Sequence, residues 1–324
     1  MDHVGIEYTG PGAMSFYPLG DPPSALQPTE ILVRTRYSGI TNGTERHSLL
    51  GEHGWKGVFP SRNGYQHVGT VERIGSAVQG FKEGDTVFLG LYVGHKAWHV
   101  VDVGVHPTGA HLCLSLPSFV SHQDCALLGV AGVAMRGVRR CRVGAGDKVW
   151  VAGLGLIGQF AAQCARALGA WVAVSDIQPK RLCLAQDLGS HMAVDARLKT
   201  AFAQLKSAGP FHKIVDACGV ESLFLNIHDN HLLAHNGAIL ALAVRSETLF
   251  HWSTFHGREA SIEVSCHFSL DDLRILLHFM RQDIIRVRPL ISHTVPIQKA
   301  PEIYEQLRDH PKDLLGVVFD WSES

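Results

Sequence analysis

The chain has 324 residues, 46% of them hydrophobic and 18% charged, with a net charge of −1. That length suggests about two domains with ample core, and the composition is that of an ordinary globular protein, which excludes a disordered one. Acids and bases are interspersed, which argues against a nucleic-acid or anionic-membrane surface as the main business.

Residues 1 to about 122 read as β-rich. Ile31 to Tyr37, His67 to Ile74, Thr86 to Leu91 and Ala97 to Val101 are strand-like, separated by Gly, Pro, Asn and Asp turns. No helical pattern alternates with them, so a separate all-β unit is expected. No basic-then-apolar N-terminal pattern directs export. Pro117 and Ser118 lead into Val120 to Val138, an Ala- and Gly-rich apolar stretch expected to carry a helix crossing between domains.

The segment Asp147 to Asp176 organises the second half. An apolar run, Val149 to Ala152, is followed by Gly153, Gly155 and Gly158 at G-x-G-x-x-G spacing, with Leu156 and Ile157 between them. A helical pattern runs to about Leu168, and a second apolar run, Trp171 to Val174, ends near Asp176. Each part suits a dinucleotide. Gly153 permits the tight strand-to-helix turn, Gly155 lets backbone approach a pyrophosphate, and Gly158 lets helix and strand pack closely. The helix start offers unpaired N–H groups to phosphate. Asp176, 21 residues after Gly155, can accept hydrogen bonds from a ribose, and its charge favours NAD(H) over a 2′-phosphorylated cofactor. Lys180 and Arg181 read either as solvated charge on the next helix or as cofactor contacts.

Strands and helices then alternate. Strands are expected at Lys148 to Ala152, Trp171 to Ser175, His191 to Val194, Lys213 to Asp216, Ala238 to Val244 and Ser261 to Ser265. Helices are expected at Pro179 to Leu188, Lys199 to Ser207, Ser222 to Leu233 and Asp271 to Gln282. This is the pattern of a doubly wound parallel sheet, whose ligands bind beyond the strand carboxyl ends. Ala217, Cys218, Ala241, Leu242, Ala243 and Phe268 are therefore cofactor candidates, with plain turn chemistry as the alternative. The tail adds a strand (Leu290 to Val295), a helix (Gln298 to Arg308) and a last strand (Leu315 to Phe319).

Seven scattered cysteines, none paired as C-x-x-C, read as reduced thiols in a cytoplasmic protein. Among the twenty histidines, His228, His231 and His235 would share a helical face. No acid or cysteine completes them at ligand spacing, so a solvated face is the expectation there.

The order of parts, with GLGLIG and the tail VPIQKAPEIYEQL, resembles the medium-chain dehydrogenase/reductase superfamily over essentially the whole chain. SGITNGTE, Ser38 to Glu45, resembles the bacteriochlorophyllide a dehydrogenase-like branch. The resemblance implies an α/β protein. A GroES-like domain over 1–122 would be rejoined by 289–324, with a Rossmann NAD-binding domain over 123–288. It also implies a homodimer pairing through Ser261 to Ser265, and a small-molecule substrate.

The departures from that family point to chemistry. Where zinc members carry C-G-T-D and G-H-E-x-x-G, this chain has Asn42-Gly43-Thr44-Glu45 and Gly64-Tyr65-Gln66-His67-Val68-Gly69. Asn and Tyr are poor Zn²⁺ ligands in place of Cys and His. The four-cysteine lobe is also missing, since Leu89 to Val101 contains no cysteine. The expectation is a protein that binds NAD(H) and no zinc.

An alkoxide developing during ketone reduction then needs an organic donor. Tyr65 stands at a ligand position and is the first candidate. Thr44 and His47 match the family's proton-relay positions, Glu45 would orient them, and Asn42 takes the lost cysteine's place. Trp55, Phe59 and Trp252, in loops, are candidates for an aromatic substrate wall or for packing. The resulting expectation is an NAD(H)-dependent alcohol dehydrogenase or ketone reductase. The alternatives are a quinone or enoyl reductase and a non-catalytic NAD(H)-binding protein.

Overall fold

Turn residues cut the N-terminal half into short strands, and a computed structural model, describing residues 3–52, 54, 56–104 and 112–322, shows how they pair. β1 (Val4–Gly10) and β2 (Ala13–Pro18) form an antiparallel hairpin. There follow β3 (Glu30–Gly39), β4 (His67–Ile74), β5 (Thr86–Leu89), β6 (Trp98–Asp102) and β7 (Cys113–Ser115). Between β3 and β4 the chain forms a helix that hydropathy alone did not suggest, α1 (Asn42–Leu50). Two features hold so polar a helix in place. Glu45 reaches back to accept the Thr41 N–H at 2.8 Å, and Gly51 ends the helix in the left-handed region at φ 68°. The short α2 (His122–Cys125) opens with Ser121 as its cap.

From α3 (Leu128–Arg140) onward strands and helices alternate: β8 (Lys148–Ala152), α4 (Leu156–Ala167), β9 (Trp171–Asp176), α5 (Pro179–Asp187), β10 (Met192–Asp195) and α6 (Ala201–Ala208). Next come β11 (Phe211–Asp216), α7 (Leu223–Asp229), β12 (Leu233–Ala241), α8 (Trp252–His256), β13 (Ser261–Val264) and α9 (Leu270–Arg281). The chain closes with β14 (Ile291–Pro296), α10 (Ala300–Asp309) and β15 (Gly316–Asp320).

The chain divides into two units, one of Met1–Gly129, Ser269–Arg274 and Val287–Ser324, the other of Val130–Phe268 and Ile275–Arg286. In the first unit a seven-stranded sheet runs β14-β15-β3-β4-β5-β7, with β6 also paired to β3. The last strand joins the N-terminal sheet through Val318 opposite Gly39 and Asp320 opposite Tyr37. The second unit is a six-stranded sheet in the order β10-β9-β8-β11-β12-β13, every pair parallel. Sheets of this kind are covered on both faces, and β8 and β9 are accordingly buried almost end to end. Trp150, Phe211, Ile214, Phe224, Ile239 and Phe255 meet in its core, each large aliphatic or aromatic side chain worth about 1.5–3 kcal/mol of burial. The fold is thus α/β, a GroES-like unit with a Rossmann-type unit.

One expected element is shorter than its pattern. The helix expected over Ser222 to Leu233 stops at Asp229, with Asn230 as its cap. His231 lies in the left-handed region at φ 55°, and Leu233 already pairs with Phe211 in the sheet. His228, His231 and His235 therefore share no helical face. The apolar pair Leu232-Leu233, fully buried, satisfies a strand start as well as a helix end, and sheet pairing decides between them.

Candidate functional site

In the second unit the strand order steps from β8 through β9 to β10 on one side and through β11, β12 and β13 on the other. The order reverses at β8 and β11, and sheets of this kind bind ligands beyond the strand carboxyl ends at such a point. Gly153 follows β8 at φ +92°, a conformation that L side chains rarely adopt, and a Cβ there would lie 2.7 Å from Cys218 Cβ. A Cβ on Gly158 would collide with the Gly153 carbonyl, so α4 can approach the turn only with glycine at that position. Gly155, by contrast, has nothing within 4 Å of such an atom. Among the described residues no side chain caps the start of α4.

Asp176 ends β9 and is 8% exposed. Its Oδ2 accepts the Leu154 N–H of the turn at 2.6 Å and its Oδ1 the Gln178 N–H at 2.7 Å. Arg181 sits in the first turn of α5, its carbonyl accepting from Gln159 Nε2 at 2.9 Å. Leu156 is buried and Ile157 half-buried at the start of α4. The loops after β11 and β12 are drawn together by a residue that the sequence reading left as a strand end. Asp216, fully buried, accepts the Cys218 N–H at 3.2 Å and the Gly219 N–H at 3.0 Å and pairs with the Arg245 guanidinium. Its carbonyl accepts the N–H groups of Leu242 and Ala243 at 3.0 and 3.1 Å. Ala217, Cys218, Ala241 and Ala243 thus lie at the carboxyl ends of β11 and β12 and are at least partly exposed, while Leu242 and Phe268 are buried.

In the first unit the candidates behave differently. Tyr65 is 4% exposed, its ring centroid 4.9 Å from that of Tyr92. Thr44 and His47 are half-buried three residues apart on α1, hence on one face of the helix, and His47 Nδ1 lies 2.7 Å from Glu52 Oε2. Asn42 Nδ2 donates to the Leu315 carbonyl at 2.8 Å, while its buried Oδ1 has no partner among the described residues. Glu45 points into the core. Its Oε2 accepts from Tyr304 Oη at 2.7 Å, Tyr8 Oη at 3.2 Å and His95 Nε2 at 3.1 Å. His95 Nδ1 lies 2.9 Å from Ser38 Oγ, which accepts Trp321 Nε1 at the same distance. Burial alone pushes the Glu45 carboxyl up, but the neighbouring His95 and the hydrogen bonds from Thr41 and Tyr304 outweigh it and hold it below the usual value. Burial, then the Glu45 charge, pushes the Tyr8 and Tyr304 phenols well above theirs. Beside this network His67 and His99 are buried with rings 4.6 Å apart, and among the described residues the His99 nitrogens have no hydrogen-bond partner. Burial holds both rings well below the usual histidine value, helped at His67 by His99, then His95 and Lys96, and at His99 by Lys96, then His95.

Phe59 packs on the core of the first unit, while Trp252, on α8 of the second unit, is 71% exposed. Trp55 lies outside the described residues.

Two family models match the chain. Residues 27–109 match the alcohol dehydrogenase GroES-like domain and residues 157–282 the zinc-binding dehydrogenase domain. The chain belongs to the zinc-type alcohol dehydrogenase-like medium-chain dehydrogenase/reductase superfamily. Sorbitol dehydrogenase of Mus musculus is 24% identical over 340 residues, covering 94% of this chain and 92% of that protein. A probable D-xylulose reductase A of Aspergillus clavatus is 26% identical over 322 residues, covering 88% of each. Among solved structures, an alcohol dehydrogenase from Thermus sp. ATN1 superposes with a TM-score of 0.84 at 19% identity, over 98% of this chain and 99% of that one. The 2R,3R-butanediol dehydrogenase from Bacillus subtilis gives 0.83 at 18%, with the same coverage. Among the described residues no helix is long and apolar enough to cross a membrane.

The expectation that this medium-chain dehydrogenase/reductase holds no zinc does not stand. The model matching 157–282 is that of zinc-binding dehydrogenases, and His228, Asp229 and His251 bring one ligand atom each within 4.8 Å of one another. The substituted motifs at Asn42 and Tyr65 and the missing four-cysteine lobe leave donors elsewhere in the chain untouched. At that position itself the donors present do not fit Zn²⁺. Asn42 is turned to a carbonyl, Tyr65 offers a phenol, and Gln66 Nε2 donates to the Gly39 carbonyl and to Thr41 Oγ1 at 3.1 and 3.2 Å. Sequence spacing missed the His-Asp-His group because His251 arrives from a loop before α8.

Proposed function

We propose that this protein is an NAD(H)-dependent dehydrogenase that interconverts a secondary alcohol, with a polyol first in line, and its ketone. The observation that carries the reading is the Asp176 carboxylate, bonded at 2.6 Å to Leu154 in a turn that only glycines can form at positions 153 and 158. Sorbitol dehydrogenase and D-xylulose reductase among the relatives support the polyol class.

The residues at the β8–α4 turn fit a dinucleotide. Gly155 leaves room for a pyrophosphate, the uncapped start of α4 supplies N–H donors, and each Asp176 oxygen keeps a lone pair for a ribose hydroxyl. The same charge disfavours a 2′-phosphate. Ala217, Cys218, Ala241, Leu242, Ala243 and Phe268 would complete the walls, with Arg181 at the adenosine side. When bound, the nicotinamide supplies or accepts the hydride. The chain's own part in the chemistry is the proton. In the reducing direction Tyr65 is proposed as the proton donor to the nascent alkoxide, with Thr44 and His47 on one face of α1 bringing a replacement proton in from solvent; alcohol oxidation runs the same proton path in reverse. Glu45 holds α1 in position, and Asn42 is fixed on the Leu315 carbonyl. Free cysteines suit a reducing compartment such as the cytoplasm. β13, at the sheet edge with Val264 65% exposed, supports a homodimer paired through that strand.

Titration of the purified protein with NADH and with NADPH, followed by protein fluorescence, tests the reading. Tighter binding of NADH is expected, and a clear preference for NADPH overturns the cofactor assignment. Turnover of sorbitol and other polyols, read as NADH formation, tests the substrate class. In that assay Tyr65→Phe should lower kcat about 10²–10⁴-fold, and unchanged turnover removes Tyr65 from the mechanism.

A further inference from the structure

The end of α7 and the start of α8 meet in a group of polar side chains that nothing in the proposed dehydrogenase reaction uses. His228 and Asp229 are the last two residues of α7, and His251 is the cap residue before α8. The His228 and His251 rings stack 4.2 Å apart at 29°. His228 Nδ1 lies 2.6 Å from Oγ1 of Thr254, itself only 5% exposed. Metal-bound histidines are commonly held in this way. A hydrogen bond at one ring nitrogen fixes the tautomer and leaves the lone pair of the other for the ion. Asp229 and His251 are exposed, so a cation has an open path to both.

We propose that His228, Asp229 and His251 form a Zn²⁺ site that clamps the C-terminus of α7 to the N-terminus of α8. Two imidazoles and one carboxylate are a zinc-class donor set, and water fills the remaining position. Ligand atoms in tetrahedral zinc sites stand about 3.3 Å apart when each lies about 2.0–2.1 Å from the metal. The three atoms here lie within 4.8 Å of one another, and because the two rings stack, closure takes a rotation of the exposed His251 ring that turns its in-plane lone pair towards the ion, with a matching shift of exposed Asp229. The clamp would tie down the chain that leads from β12 to α8, the same stretch that Arg245 pins to Asp216. Its three ligands belong to the second unit, whereas Asn42, Tyr65 and Gln66 belong to the first.

Full-length protein is stripped with a chelator, dialysed and titrated with ZnCl₂ by calorimetry, with MgCl₂ as the control for nonspecific divalent binding. Wild type should bind Zn²⁺ and not Mg²⁺. His251→Ala, a change at an exposed position that should leave folding intact, and Asp229→Asn should each weaken Zn²⁺ binding at least about ten-fold. Zn²⁺ should raise the melting temperature of wild type and leave that of His251→Ala unmoved. The proposal is overturned if wild type binds no Zn²⁺, or if affinity and stoichiometry are the same in both variants. NADH affinity measured in the same samples reports separately on the dehydrogenase reading.

Discussion

Two buried carboxylates, one in each unit, show how differently the same group can be held. Asp176 is fixed by two backbone N–H groups from the turns on either side of it. Glu45 is fixed by one backbone N–H and by three side chains, from β1, α10 and the segment before β6. A carboxylate held by local backbone at a crevice keeps acceptor capacity for a ligand. One surrounded by phenols and an imidazole in a core has spent that capacity on joining distant elements. Burial is similar in the two cases, and the origin of the donors separates a binding group from a structural one.

The sharpest way to break this comparison is to remove the core carboxylate. Glu45→Ala strands His95, Tyr8 and Tyr304 without their shared acceptor and should cost about 3–5 kcal/mol, read as a lower urea midpoint. A loss under 1 kcal/mol would mean the network is dispensable. On the other side of the comparison, Gly158→Ala drives a methyl into the Gly153 carbonyl. Overpacking of this kind costs about 1–3 kcal/mol, and the displaced α4 should weaken NADH binding at least ten-fold. Intact NADH affinity would show that the turn does not hold the cofactor.

Acid separates the two regions again, through the histidines beside Glu45. His67 and His99 are held well below the usual histidine value by burial, so the folded state keeps them neutral where the unfolded chain takes up protons. The unfolded state binds more protons below about pH 6.5, and stability therefore falls as pH drops through that value. From pH 7 to 5.5 two such rings should cost about 2–3 kcal/mol. His99→Leu should remove about half of that slope in urea melts taken at the two pH values. Glu45 adds a separate loss at lower pH, since its stabilisation is present above the usual carboxylate range and disappears as pH falls through its depressed value.

How much of this was legible in the sequence follows the same division. β8, β9 and β11 announced themselves as apolar runs because parallel strands are buried on both faces. The nucleotide turn was legible because its glycines and Asp176 act within about twenty residues of one another. The β1–β2 hairpin was not, since β2 is half-buried and carries no apolar alternation. Nor was α1, a polar helix held by a tertiary carboxylate rather than by an apolar stripe. The Glu45 network joins residues 37, 50 and 259 positions away, a pattern that no local window contains. His228 and His251 meet only because α7 ends early and the loop after β12 returns to it. A donor group of that kind is invisible to spacing along the chain, which sets His228 and His251 more than twenty residues apart.

The smallest effect is the most diagnostic for the comparison. Asp176→Asn keeps the shape of the side chain but replaces one acceptor oxygen with an amide donor. The Asn carbonyl can serve either Leu154 or Gln178, and the other N–H then faces an NH₂ group. One buried N–H left without its acceptor costs about 1–3 kcal/mol, and because Gln178 is only half-buried the lower end, about 1 kcal/mol, is expected in urea melts. The charge disappears at the same time, so the preference of NADH over NADPH should narrow several-fold even though the fold survives. Loss of stability with no change in that ratio would assign Asp176 to the turn alone, and the two carboxylates would then belong to the same structural class.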